Sequence, residues 1–240
     1  MQMMLARELV IKSPWLNRWN SFDVDELFSN ARLLNRKQGD LIWRDASDSD
    51  VCILLKGAAW VTLKQGDDLI KVGIVMPVNV IGLTLIMRDS VRDESHYEFH
   101  AAEDVSLLKV SPEFLSRKLD EKPILWRSIS ESLVNRQRWG VVFALFLRMG
   151  SIADRLVLVL NQYVETRLAG GLGSARISVS ISQDDMAEMI NSSRQHLNRE
   201  LKLLQVDGVI ELGYKKIIIT NTTELRRRVK RALTLNAPAE

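Results

Sequence analysis

At Pro112 the hydrophobic pattern of this 240-residue chain changes period, and that break constrains the fold more than any other feature. Upstream of it the apolar stretches are short and separated by turn signals. "ARLLNRK" ends at Gly39-Asp40, and "DLIWRD" ends at "ASDSD". "VCILLKGAAWVTLK" is interrupted at Gly57 and turns at "QGDD", while "LIKVGIVM" stops at Pro77 and "ESHYEFHAAEDVSLLKVS" stops at Pro112. Short strands at regular intervals predict an antiparallel barrel or sandwich. A short amphipathic helix over 22–31 precedes it.

Downstream the period becomes helical. "PEFLSRKLDEKP" reads as a short helix between prolines. From Pro123 to Gly150 no proline intervenes, and Ile129, Leu133, Gly140, Phe143 and Leu147 recur at helical spacing, which predicts one long helix with an apolar seam. That seam implies either a partner helix, most simply a second copy of the chain, or packing on the chain's own strands. Gly140 permits close approach. Arg136 in the seam is costly unless paired. A second amphipathic helix covers 151–168, and "AGGLGSA" is a loop.

Composition removes several function classes. A single cysteine, Cys52, rules out an internal disulfide framework and a cysteine-ligated cluster, and fits a reducing cytoplasm. Cys52 lies in an apolar strand and reads as core rather than nucleophile. The start has no basic region leading into an apolar run, so it is not a secretory signal. The longest apolar run, "VVFALFL", is far short of the roughly 20 residues that span a bilayer. No phosphate-cradling G-x-x-x-x-G-K-[ST] and no G-x-S-x-G element occurs, so no catalytic residue is expected. The net charge is +3, yet the span 194–231 carries ten Lys/Arg against four Asp/Glu. Such a basic end suits an anionic polymer, or it is a solvated basic tail.

"SISQDDMAEMINSSRQHLNRELKLLQVDGVIELGYKKIIIT" decides between these. Ser182 stands three residues before Asp185, a capping-box-like helix start. Met186, Ala187 and Ile190 face inward, and Ala187 is small where two helices cross. Asn191 suits the left-handed turn that ends this helix. Ser192 or Ser193 caps the next one. Leu197, Leu201 and Leu204 form its buried stripe. Arg194, Gln195, Asn198 and Arg199 occupy the other face, in the turns that enter a major groove. Arg grips guanine O6/N7 in two places, and Gln or Asn pairs adenine N6/N7. "GVIELGYKKIIIT" reads as a two-stranded wing turning at Gly213-Tyr214. Ser182, Ser193, Lys202, Lys215 and Lys216 are the candidate phosphate contacts. Double-stranded DNA is the expected partner.

The segment "SQDDMAEMINSSRQHLNRELKLLQVDGVIEL" resembles the signature winged helix of the cyclic-AMP receptor / fumarate–nitrate regulator (Crp/Fnr) family of bacterial transcription factors. "RKQGDLIWRDASDSDVCILLKGAAWVTL" resembles that family's strand–turn–strand entry, including the glycines at 39 and 57. The resemblance runs from about Phe22 to Leu225. It implies an α+β chain: an N-terminal antiparallel β-barrel of the cyclic-nucleotide-binding jelly-roll type, a long dimerisation helix, and a C-terminal winged helix-turn-helix. The expected boundaries are 1–122 for the barrel sensor, 123–150 for the dimer helix and hinge, 151–232 for the DNA-binding domain and 233–240 for a flexible tail. It further implies a homodimer on a two-fold-related DNA site, RNA polymerase as a partner, and Leu133, Gly140, Phe143 and Leu147 as the dimer seam. Arg194 and Arg199 keep common family identities. Gln195 replaces the usual glutamate, which predicts an altered base preference there.

The sensor departs from the family pattern. Cyclic-nucleotide binders of this family carry a Gly-Glu pair for the ribose and an Arg-Ser or Arg-Thr pair for the cyclic phosphate. Gly82 survives, but Leu83 stands in the glutamate's place and Ser95-His96 in that of the arginine pair. No fixed guanidinium would meet a cyclic phosphate. These four residues, with Arg136 and Gln137 on the long helix, are the candidate effector pocket. The expectation is a barrel that does not bind cAMP in the usual way; a cAMP- or cGMP-responsive variant pocket is the alternative. His96, Glu98 and His100 share a strand face opposite Tyr97 and Phe99. Two imidazoles and a carboxylate are donors that zinc or iron can use, which leaves a cupin-like metalloprotein as the alternative of a different class. Cupin spacing is absent, and no metal or other cofactor is expected.

Overall fold

The computed structural model describes residues 2–11, 16, 18–44, 47–65, 68–77, 79–87, 97–169, 176–214 and 216–235. Two compact units divide the chain: residues 1–134 with 169–171, and residues 135–168 with 172–240.

In the first unit, helices α1 (Gln2–Ile11) and α2 (Ser21–Ser29) precede strands β1 (Ala31–Arg36), β2 (Leu41–Arg44), β3 (Val51–Lys56), β4 (Ala59–Gln65), β5 (Asp68–Val75) and β6 (Val80–Ile81). A 3-10 turn (Leu83–Met87), strands β7 (Tyr97–Ala101) and β8 (Val105–Val110), and helix α3 (Pro112–Glu121) follow. The strands form two four-stranded antiparallel sheets, ordered β1-β8-β3-β6 and β2-β7-β4-β5. The strands are thus shared between two sheets in a jelly-roll arrangement rather than laid into one closed barrel. Ile42, Trp43, Leu54, Phe99 and Leu107 pack between the sheets. On the other side of the first sheet, Val51, Ile53, Leu55 and Leu108 pack with Val24, Leu27, Leu115 and Leu119 of the helices. This sheet is covered on both faces, which is why "VCILL" is a continuous apolar run instead of an alternating one.

A buried ion network fastens α2 to α3. Asp23 and Lys118 are both almost fully buried. Lys118 pairs with Glu26, and Lys122 with Asp23. Asp23 also completes the capping box of α2, its amide donating to the Asn20 side chain at 2.9 Å. Burial pushes the Asp23 carboxyl up, but the Lys122 hydrogen bond, the Asn20 amide and the charges of Lys122 and Lys118 outweigh it and hold it below its ordinary 3.8. The folded pKa is therefore the lower one. The stability it contributes is complete above the unfolded value and is lost as pH falls through the folded value. In acid titration of the folded state, Asp23→Asn is expected to flatten the loss of stability below about pH 4. An unchanged acid limb would contradict this.

Helix α4 (Ile124–Met149) runs from one unit into the other. The division falls inside it, not at its ends. Leu125 and Ile129 belong to the core of the first unit, while Phe143 and Phe146 are buried farther along. The second unit continues with α5 (Ile152–Ala169), β9 (Ile177–Val179), α6 (Gln183–Met189), α7 (Arg194–Val206), β10 (Ile210–Gly213), β11 (Lys216–Ile219) and α8 (Thr222–Leu235). No described helix is long and apolar enough to cross a membrane.

Candidate nucleic-acid interface

The sequence sets the angle between α6 and α7 through three local devices. Ser182 caps α6, its Oγ accepting from the Asp185 amide at 3.0 Å. At the far end Asn191 holds φ 49, and two amides satisfy the last carbonyls: Asn191 N donates to Glu188 O (3.0 Å) and Ser192 N to Ala187 O (2.8 Å). This is a Schellman termination with asparagine in the left-handed position. Ser193 then caps α7, its Oγ accepting from the His196 amide at 3.2 Å. Of the two serines considered, Ser193 takes the role. Helix α7 ends in the same way on Gly208, φ 69, with Val209 N donating to Leu204 O at 2.9 Å.

Met186, Ala187 and Ile190 of the α6 segment and Leu197, Leu201 and Leu204 of α7 are buried. That fixes which face of α7 is left outside. Arg194, Gln195, Asn198 and Arg199 line one open hollow with Lys202 and Leu203. Arg194 lies 3.3 Å from Asp184 in an exposed pair, a contact worth at most about 1 kcal/mol and easily exchanged. The wing pairs Ile210 with Ile219 and Leu212 with Ile217, and its tip residue Tyr214 is 87% exposed. Lys202 and Lys216 are exposed, while Lys215 lies outside the described residues.

Two elements of this unit are absent from the sequence reading. Strand β9 adds a third strand beside β11, with Ile177 facing Ile219. Helix α8 follows the wing, capped by Asn221, whose Oδ1 accepts from the Glu224 amide at 2.9 Å. Its buried Leu225, Val229 and Ala232 are the signal that could have found it. It braces the back of α7: Arg228 reaches Asp207, the C-cap of α7, at 2.7 Å. Arg227 and Arg228 clasp Glu224 and hold its carboxyl down at about 2.

Of the effector candidates, Gly82 and Leu83 belong to the first unit and Arg136 and Gln137 to the second. Gly82 has φ 83, and a Cβ there would lie 2.9–3.1 Å from the Trp43 indole. Glycine is required both by the backbone and by the ring packed on it. Leu83 is half-buried and packs on the helical side of the first sheet. Arg136 and Gln137 are exposed on α4, and Ser95 and His96 lie outside the described residues. Glu98 and His100 do share a face: Glu98 accepts from Arg44 Nε at 2.7 Å and meets His100 Nε2 at 2.8 Å. Both carboxylate oxygens are thereby engaged. Among the described residues no group of three His, Cys, Asp or Glu is placed to hold a metal. Cys52 is fully buried, and burial pushes its thiol up to about 12.

The four residues of the expected α4 seam differ in burial within the single chain. Leu133 packs on the core of its own unit, and Phe143 is buried and stacks on Trp139 at 4.9 Å. Leu147 is half-buried, and Gly140 is exposed with open space beside it. Beyond Ile124 at its start, the large apolar side chains that α4 leaves exposed are Val134, Val141, Leu145 and Met149.

Comparison with known proteins agrees with this geometry. Residues 144–228 match the family described as the Crp-like helix-turn-helix domain. The C-terminal part of this chain is a Crp-like helix-turn-helix domain. Solved structures match over nearly the full length. FixK2 from Bradyrhizobium japonicum has a TM-score of 0.65 at 17% identity, covering 88% of this chain and 99% of that one. A CRP family transcriptional regulator from Thermus thermophilus has a TM-score of 0.60 at 18% identity, covering 83% and 98%. The c-di-GMP responsive global regulator CLP of Xanthomonas campestris has a TM-score of 0.60 at 16% identity, covering 84% and 100%. The chain therefore has the Crp/Fnr fold, a cyclic-nucleotide-binding-like domain followed by the helix-turn-helix. No curated protein matches it significantly.

Proposed function

We propose that this chain is a Crp/Fnr-type transcription regulator that binds duplex DNA as a homodimer, reading bases with Arg194, Gln195, Asn198 and Arg199. The observation that carries the reading is the face of α7. Its apolar stripe is wholly committed to the domain core, and its four base-matching side chains stand together on the open side. Ser182, Ser193, Lys202, Lys215 and Lys216 anchor the phosphates. The cap leaves the Ser193 hydroxyl proton for that work, and Lys202 and Lys216 are exposed; the Ser182 hydroxyl donates to Asp185 Oδ2 at 2.6 Å and would exchange that bond for a phosphate oxygen. A second copy covers Val134, Val141 and Leu145 on α4, with Gly140 at the edge of the contact, and RNA polymerase is the downstream partner.

The first unit does not take cAMP in the usual way. Leu83 is apolar where the ribose would need a carboxylate, and the Trp43 ring occupies the space against Gly82. Regulation then acts through another ligand or through none.

The test is sequencing of duplexes selected from a random pool by the wild type and by Gln195→Glu. The proposal expects a two-fold-related motif with half-sites about one helical turn apart. It also expects a base change confined to one symmetric position in the variant, because glutamate accepts from cytosine N4 while glutamine can also donate. Identical motifs for the two proteins would remove Gln195 from the reading set. No enrichment by the wild type would sink the proposal.

A further inference from the structure

Arg155 stands in the first turn of α5, and its guanidinium meets four backbone carbonyls. Nε–H donates to Phe146 O at 3.1 Å and Gly150 O at 3.0 Å, where α4 ends. Nη1 donates to Ile190 O at 3.1 Å and Asn191 O at 3.2 Å, in the turn that leads into α7. All five residues belong to the second unit.

Each attachment is firm. Ser151 and Asp154 hold the start of α5, with Ser151 N donating to Asp154 Oδ2 at 3.1 Å and Asp154 N to Ser151 Oγ at 3.2 Å. Gly150 lies so close to α4 that a Cβ there would sit 2.9 Å from Phe146 O. The carbonyls stand at the C-terminal ends of α4 and α6, where partial negative charge accumulates and a cation is favoured; Phe146 O accepts from the Gly150 amide at 2.8 Å as well. A guanidinium presents its donors in one rigid plane, so it fixes the spacing between the two carbonyl pairs. An ammonium is a point on a flexible stem and cannot hold both.

We infer that Arg155 is a positioning residue that ties the end of α4 to the entry of the reading helix, so that the reading edge takes its placement from α4. This rests on the reading of α7 as the DNA-reading edge. Asn191 is fixed in the left-handed conformation, and Ser193 caps α7 two residues later. Few free torsions therefore separate the held carbonyls from Arg194. A shift in the last turn of α4 moves the Phe146 and Gly150 carbonyls, then the guanidinium, then the turn. Two-point hydrogen bonds to base edges fail with small displacements, because their angles must stay near linear. Contacts from long, exposed lysines to phosphates do not. Arg155 thus governs selectivity more than general DNA affinity.

The test titrates the full chain by fluorescence anisotropy against a duplex selected by the wild type and a scrambled duplex of equal length. Arg155→Gln and Arg155→Lys are measured in parallel, with the salt dependence of each. Arg155→Gln is expected to bind the selected duplex about 10-fold more weakly, the loss of roughly one two-point base contact. Its affinity for the scrambled duplex should stay within about twofold, and its salt slope should not change, because no phosphate contact is lost. Arg155→Lys should stay close to Arg155→Gln.

Equal weakening on both duplexes would overturn the inference. So would a salt slope shallower by about one contact, full recovery by lysine, or no change at all. If Arg155→Gln does not show the wild-type melting profile, Arg155→Lys decides by the same two duplexes. A wild type that does not distinguish the duplexes defeats the DNA-reading assignment itself, a different result from failure of the link.

Discussion

Arg199→Ala is expected to cost about 1–3 kcal/mol of binding at each half-site, or about 2–6 kcal/mol for a dimer on its two-fold-related DNA. Arg199 is exposed on the open face of α7 and, among the described residues, has no ion pair to give up. Its guanidinium is therefore available to a base edge at little cost. Arg194→Ala should weaken binding less, because Arg194 must first leave Asp184. Both variants should keep the wild-type melting temperature, since neither side chain supports the core. Anisotropy titration of the selected duplex reads the effect. An Arg199→Ala protein that keeps the wild-type affinity and motif would remove Arg199 from the reading set.

Trp43→Ala should lower the stability of the first unit by about 3–5 kcal/mol. Trp43 is completely buried between the two sheets, with Phe99 edge-on at 5.7 Å and Tyr97 stacked at 6.0 Å. Its indole N–H donates to Asp50 O at 3.0 Å, and its ring fills the space against Gly82. The loss combines an aromatic removed from the core with an acceptor left unpaired. Urea denaturation followed by circular dichroism measures it, and a change below about 1 kcal/mol would show that the ring does not fill the sheet interface. The vacated space would still lack a carboxylate for a ribose and a guanidinium for a phosphate. Isothermal titration of this variant with cAMP should therefore register no binding, and micromolar binding would show that Trp43 alone excludes the nucleotide.

The winged helix was legible almost residue by residue. Its signals are local: Ser182 and Ser193 at helix starts, Asn191 in a left-handed turn, and leucines at 197, 201 and 204 spaced for one face. The strands before Pro112 were legible for a similar reason, since turn residues mark their ends. What was not legible depends on partners far away in sequence. Division of the strands into two sheets follows from pairings such as β1 with β8, across some seventy residues. Along α4, the packing of Leu133 on the first unit's core and the burial of Phe143 depend on neighbours that periodicity along one helix cannot reveal. Strand β9 has only three residues, too few for an alternating pattern. In α8 the run of arginines from 226 to 228 drew attention to charge and obscured Leu225, Val229 and Ala232 beneath it. Arg155 carried no sequence signal, because its partners are all backbone carbonyls.

The central claim is that this chain reads a two-fold-related DNA site through α7 without help from cAMP. Footprinting of the selected duplex, with and without saturating cAMP, tests it most directly. The account predicts protection of two half-sites about one helical turn apart, at the same protein concentration in both conditions. Protection of a single half-site, or protection that appears only when cAMP is added, would contradict it.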